Sequence, residues 1–217
     1  MKHTILVIGI FIMFCGCYKD VPKPGQSYHL IPQTVLDYTS FQVGTYWIYQ
    51  DSATGKLDSQ WIAASNSGFD YFTKNSNYFL GYYQYFTYTM YDTMYNTEMI
   101  ISCSMTQSSN GYNAFVLRDI SNNSGINSCP MFYYPYSVKW YDSGTPPNYV
   151  GNAVQFISYS SLNVLNKIFN NVVRIHQYDN CYDQEINSYM AKYIGVVKLQ
   201  LLKNHQTWDL IRYHIVQ

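Results

Sequence analysis

From residue 41 to its end, the chain consists of short apolar or alternating runs broken by clusters of Gly, Asn, Asp, Ser and Pro. Runs of that length and spacing predict β-strands joined by tight turns. Tyr46–Gln50 (YWIYQ) predicts a first strand, DSATGK a turn, and Leu57–Ala64 the returning strand of a hairpin. Tyr78–Tyr91 is long and aromatic, with Gly81 placed to bend it. In Thr97–Met105, Met99, Ile101, Cys103 and Met105 alternate with Glu98, Ser102 and Ser104, the period of a strand with one buried face. Gly111–Arg118 continues the meander. Ser121–Cys129 and Gly144–Asn148 (GTPPN) predict loops by composition. Between them, Met131–Trp140 predicts an edge strand, because Pro130 and Pro135 cannot donate to a ladder. Val154–Tyr159 is apolar and partly β-branched, and Ser160–Phe169 favours strand over a short helix.

The last third has the clearest pattern. Val172–Tyr178 predicts a strand, Asp179–Asn187 a polar turn, Tyr189–Leu202 one long strand, KNHQ a turn, and Thr207–Val216 the final strand. Strict alternation in that last strand puts Ile211, Tyr213 and Ile215 on one face with Asp209. Trp208, Leu210, Arg212 and His214 then share the other. Gly195 inside a strand, and Gly44 just before one, predict a bulge or a close approach of backbone. Roughly ten short strands predict an all-β fold: a single antiparallel sheet, strongly curved or closed into a barrel, since a flat open sheet would leave edges prone to aggregation. A half-barrel like those of periplasmic lipoprotein carriers is the first expectation, and a lipocalin-like barrel or a β-sandwich the second.

The N-terminus follows a different pattern. Lys2 and His3 precede the uncharged run Thr4–Phe14 (TILVIGIFIMF). That run is too short to cross a bilayer, which takes about 20 apolar residues. It has the length of the apolar region of a secretory signal peptide. Gly16-Cys17 then resembles the lipobox of bacterial lipoproteins, with Phe14 standing where leucine is common. The resemblance implies cleavage before Cys17 and a diacylglycerol thioether on its sulfur. Two or more acyl chains hold a protein stably on a membrane, at about 0.8 kcal/mol per buried methylene. Tyr18-Lys19-Asp20 reads either as a plain polar tether or as a sequence similar to the export signal of surface lipoproteins in Bacteroidota. Val21–Ser27 (VPKPGQS) predicts an extended linker. The expected divisions are residues 1–16 as signal peptide, 17–40 as lipid anchor and linker, and 41–217 as one all-β domain. The expected address is the outer membrane, on its periplasmic or its cell-surface side.

Composition narrows the chemistry. Charged residues make up 12% and the formal net charge is zero, so no electrostatic case for nucleic acid exists. Tyrosine is the outlier, at 25 of 217 residues. It suits pleated, half-buried surfaces, and it can also form a binding surface. Tyr82, Tyr83, Tyr85, Tyr88, Tyr133, Tyr134 and Tyr136 are the candidate ligand-contact rings. Beyond the anchor remain Cys103, Cys129 and Cys181. Cys129 and Cys181, both beside expected turns, are the candidate disulfide. Such a bridge would close a loop of about 50 residues, for about 4 kcal/mol of stability in the chain-entropy model. Cys103, in an apolar run, reads as a core residue.

FQVGTYWIYQDSATGKLDS, IFNNVVRIH and YMAKYIGVVK…WDLIRYHI resemble the opening and closing segments of uncharacterised cell-envelope lipoproteins of Bacteroidota. That resemblance implies an envelope address and carries no catalytic residues. None emerge from spacing either. His176–Glu185 (HQYDNCYDQE) is the densest polar cluster, but alternation would set His176 and Asp179 on opposite faces, and turn chemistry explains the acid. No GxSxG, HExxH or glycine-rich phosphate loop occurs. The sequence therefore predicts no metal, no cofactor and no enzyme. It predicts a membrane-tethered binding protein for an apolar or amphipathic ligand or a partner protein, or alternatively a surface glycan-binding module using tyrosine platforms.

Overall fold

A computed structural model describes residues 27–74, 78–93, 97–108, 111–122, 125–134, 155–179 and 184–216, with side chains described for 27–70, 81–93, 100–101, 157–176 and 185–216. The elements are β1 (Tyr28–His29), α1 (Gln33–Thr39), β2 (Tyr46–Asp51), β3 (Leu57–Lys74), β4 (Tyr78–Asp92), β5 (Thr97–Ser108), β6 (Gly111–Asn122), β7 (Gly125–Tyr134), β8 (Gln155–Val164), β9 (Lys167–Asp179), β10 (Gln184–Ala191), β11 (Gly195–Leu201) and β12 (Gln206–His214).

All twelve strands join one sheet, in the order β7-β6-β5-β4-β3-β2-β12-β11-β10-β9-β8. Two antiparallel meanders, β2 to β7 and β8 to β12, meet where the last strand pairs with the first long one (Leu210 opposite Tyr49, His214 opposite Tyr46). Among the described residues the path ends at β7 and β8 without closing, and there is one sheet rather than two. The all-β expectation holds, and the closed barrel and the sandwich do not. The sheet is also mixed. Beyond Tyr85, where β4's pairing with β5 ends, β1 takes the vacated edge in parallel, Tyr28 beside Tyr82 and His29 beside Tyr83.

The sheet bends around α1. Strands β4 and β9 stand six places apart, about 29 Å in a flat sheet at 4.8 Å per strand. Yet Tyr38 of α1 donates to the Asn171 carbonyl on β9 at 2.9 Å, and Phe41, two residues past the helix, meets the Tyr88 ring of β4 at 6.5 Å. A helix of this length spans about 10 Å, so only curvature can bring both strands to it. The core therefore lies on the concave face, with Val35, Tyr38, Phe41, Trp47, Tyr49, Tyr88, Val197, Trp208 and Leu210 among its buried members.

Several expectations change. The linker expected to run to residue 40 ends earlier, because β1 and α1 belong to the folded domain: Ile31, Val35 and Tyr38 are buried. Seven residues make a marginal helix alone, and packing supplies its stability. Residues 125–129, expected as loop, form the first half of β7. Pro130 does sit in an edge strand, at a register shift opposite Leu117. The long strand expected from Tyr189 to Leu202 is two strands, β10 and β11. The chain turns at Lys192–Ile194, with φ +64° at Tyr193 and +91° at Gly195. In β12 the alternation breaks at Ile211, a bulge between Leu210 and Arg212. One extra residue reverses the parity, so Asp209 and Tyr213 lie on opposite faces.

Candidate functional site

The tyrosine run of β4 does not form one surface. Residues 82 to 92 alternate without a slip, so Tyr82 and Tyr88 face inward, and Tyr83 and Tyr85 outward. Tyr88 is only 5% exposed, packed against Phe86 and Phe41, and is a core residue rather than a contact for a surface ligand. Tyr82 stacks on Tyr28 at 5.1 Å and so helps hold β1. Outside, Tyr83 donates to Asp70 Oδ2 at 3.1 Å. The Tyr85 hydroxyl lies 3.2 Å from where a Cβ on Gly68, its cross-strand partner, would stand. Tyr133 and Tyr134 are successive residues of β7, opposite Phe115 and Ala114. Cys129 is in the same strand, opposite Arg118, and its expected partner Cys181 lies outside the described residues, as do Tyr136 and Cys17.

The polar cluster of the last third is bound into the outer face. His176 pairs with Asn187 and Gln155 in register. Its Nδ1 lies 2.8 Å from Asn187 Oδ1 and its Nε2 3.0 Å from Glu185 Oε1, so both ring nitrogens have partners within the sheet.

A second aromatic feature, missed in the sequence, crosses the outer face. His214 (β12), Tyr46 (β2), Trp61 (β3) and Tyr91 (β4) are consecutive cross-strand neighbours. His214 stacks with Tyr46 at 5.9 Å, and Trp61 with Tyr91 at 5.6 Å. Trp61 and Tyr91 remain 41% and 37% exposed. These four residues lie between 15 and 168 positions apart in sequence, and only the register aligns them.

One concavity among the described residues has both apolar and charged walls, a cleft of about 510 Å³. It lies where β9 begins (Lys167–Asn171), where β10 turns into β11 (Lys192–Ile194), and beside Tyr213. Its construction follows from the two irregularities of the fold. β11 pairs with β12 only from Lys198 onward, so past Leu210 the side of β12 away from β2 lacks a strand from β11. The bulge then turns Tyr213 inward, and its ring meets Phe169 at 6.4 Å. Lys167 reaches across to donate to the carbonyl of the bulged Ile211 at 2.5 Å.

The other lysine of the cleft is held from below. Lys192 Nζ lies 2.9 Å from Asp37 Oδ2, and 4.7 Å above the Tyr193 ring. The Tyr193 amide donates to the Asp37 carbonyl at 2.6 Å, and Gln33 Nε2 to Asp37 Oδ1 at 2.7 Å. Burial pushes the Asp37 carboxyl up, but the Gln33 hydrogen bond and the Lys192 ammonium outweigh it and hold it below its ordinary value. The hydrogen bond to Asp37, with Tyr193 beside it, raises Lys192 well above the usual lysine range. No protein-family profile, curated protein or solved structure matches this chain.

A volume near 500 Å³ falls within the range of ligand clefts, about 300–1,000 Å³. Aromatic and aliphatic walls with two ammonium groups suit an amphipathic guest. The four elements that build it meet only in the fold, which is why Ile168–Asn171, Lys192–Ile194 and Tyr213, though they lie in segments marked by resemblance or strand pattern, do not read as one site in the sequence. A second, smaller concavity of about 240 Å³ lies between Ser40–Gln42, Ser65–Ser67 and Phe86–Tyr88.

Proposed function

We propose that this protein is a non-catalytic, lipid-anchored component of the cell envelope that binds an amphipathic ligand. The observation that carries the binding half is the cleft beside Tyr213: it is open, apolar on its floor and cationic at its sides. The rest of that inner face is filled beside α1 by Phe41, Trp47 and Tyr88. The anchoring half rests on the lipobox-like Gly16-Cys17 and the apolar run before it.

Each half has its own test. Metabolic labelling with palmitate in the native host is expected to mark the chain and to fail with Cys17→Ala. An intact mass that retains Met1 would overturn the anchor. Native mass spectrometry of gently extracted protein is expected to show a bound amphiphile, and a chain that arrives empty and takes up none on addition would overturn the binding role.

The exposed Trp61–Tyr91 pair and its neighbours favour a second reading, glycan binding on the outer face. There, Trp61→Ala should abolish retention on a polysaccharide affinity gel while leaving the urea midpoint near that of the parent. Equal retention of both proteins would remove this reading.

A further inference from the structure

We propose that the ligand of the cleft carries a single acidic head group, seated at Lys167, with its apolar part laid over Ile168, Phe169 and Tyr213; this rests on the binding role above. The charges are unequal in their compensation. Lys192 is paired with the buried carboxylate of Asp37. Lys167 donates to a backbone carbonyl, which satisfies a hydrogen bond but cancels no charge. Among the described residues, the cleft's ionic groups are thus two cations against one anion, a net surplus of one positive charge. Lys167 stands at the exposed rim, where water partly screens its charge, so the apolar wall beside it supplies the rest of the attraction.

The apolar half of the ligand has its own wall. Phe169 is buried and forms the floor, while Ile168 is 72% exposed at the rim, an aliphatic side chain left open among the described residues. Tyr193 and Tyr213 flank it, both substantially exposed. A free anion such as phosphate would leave these apolar surfaces wet, and a neutral alcohol would leave Lys167 uncompensated. Only a molecule with both parts satisfies both walls. Carboxylate and phosphate monoester heads share the needed chemistry.

The test uses the full chain carrying Cys17→Ala, and compares laurate, dodecyl phosphate, dodecanol and inorganic phosphate by equilibrium dialysis below the micelle concentrations. The acidic amphiphiles are expected to bind at least fivefold tighter than dodecanol, and inorganic phosphate not measurably. Lys167→Gln should erase that preference and leave dodecanol binding as it was. Ile168→Ser, a surface change, should weaken all three chains alike. Whichever of laurate and dodecyl phosphate binds tighter identifies the head group. If the amphiphiles bind equally and Ile168→Ser weakens them, the head-group assignment is wrong while the cleft remains the site. If none binds, or neither substitution matters, the cleft itself is overturned.

Discussion

At the residue scale, single atoms decide where the backbone can go. Gly195 adopts φ +91°, and a Cβ there would stand 3.2 Å from Phe41 Cζ and 3.4 Å from Trp47 Cζ2. The conformation is strained for any side chain, and the Phe41 ring would have to yield by a few tenths of an ångström. Gly195→Ala is expected to cost about 1–3 kcal/mol, read from the urea midpoint. Gly55, at φ +71° with its nearest neighbour at 3.6 Å, has only the conformational problem, so Gly55→Ala should cost less. Tyr49 is a different case. Its hydroxyl donates to the Val196 carbonyl at 2.9 Å from inside the core. Tyr49→Phe should lose about 1 kcal/mol, the net worth of one such bond.

Elements here are short of intrinsic stability and depend on specific ties. α1 starts after Pro32 with no side-chain cap, and holds its place through Tyr38 to Asn171, Asp37 to Lys192 and Tyr193, and Val35 in the core. Tyr38→Phe removes one tie and is expected to lower stability by about 1 kcal/mol. Amide exchange in residues 33–39 should rise with it, more than in β2. An unchanged exchange pattern would mean that packing alone fixes the helix. The β2–β3 turn is tied in a similar way, with Asp51 accepting from the amides of Ala53 and Thr54 and from Gln206 across the sheet.

For the whole molecule, these buried acids set the response to pH. The Gln206 hydrogen bond, helped by the turn amides, outweighs burial and holds Asp51 below its ordinary 3.8, and Asp37 is lowered too. A depressed folded pKa contributes stability that is complete above the unfolded value. It should therefore be lost as pH falls below about 4 and through the lower folded values. At the alkaline end, burial first, then Asp58 and Asp92, raise Tyr49 well above its ordinary 10.0. The unfolded chain releases that proton first, so stability should fall as pH rises past about 10. Urea midpoints across the pH range should trace a plateau with both flanks. A flat acid limb in an Asp51→Asn, Asp37→Asn double variant would confirm those carboxylates as its source.

The order of apolar and polar residues determined the β class, most strand positions and the turns at 52–56 and 202–205, because strand period and turn chemistry act over a few neighbours. Alternation correctly assigned Ile101 to the interior while Ile100 stays exposed. It failed wherever a distant contact intervened. Tyr189–Leu202 has strand-forming residues throughout, yet contacts from Asp37, Asn171 and Trp47 fold it back at Tyr193. Parity in the last strand was lost at Ile211, where pairing with β2 slips by one residue. The cleft and the outer aromatic row depend wholly on such events. Register and strand order are set by packing among residues far apart in the chain, and that energy exists only once the sheet has assembled around α1.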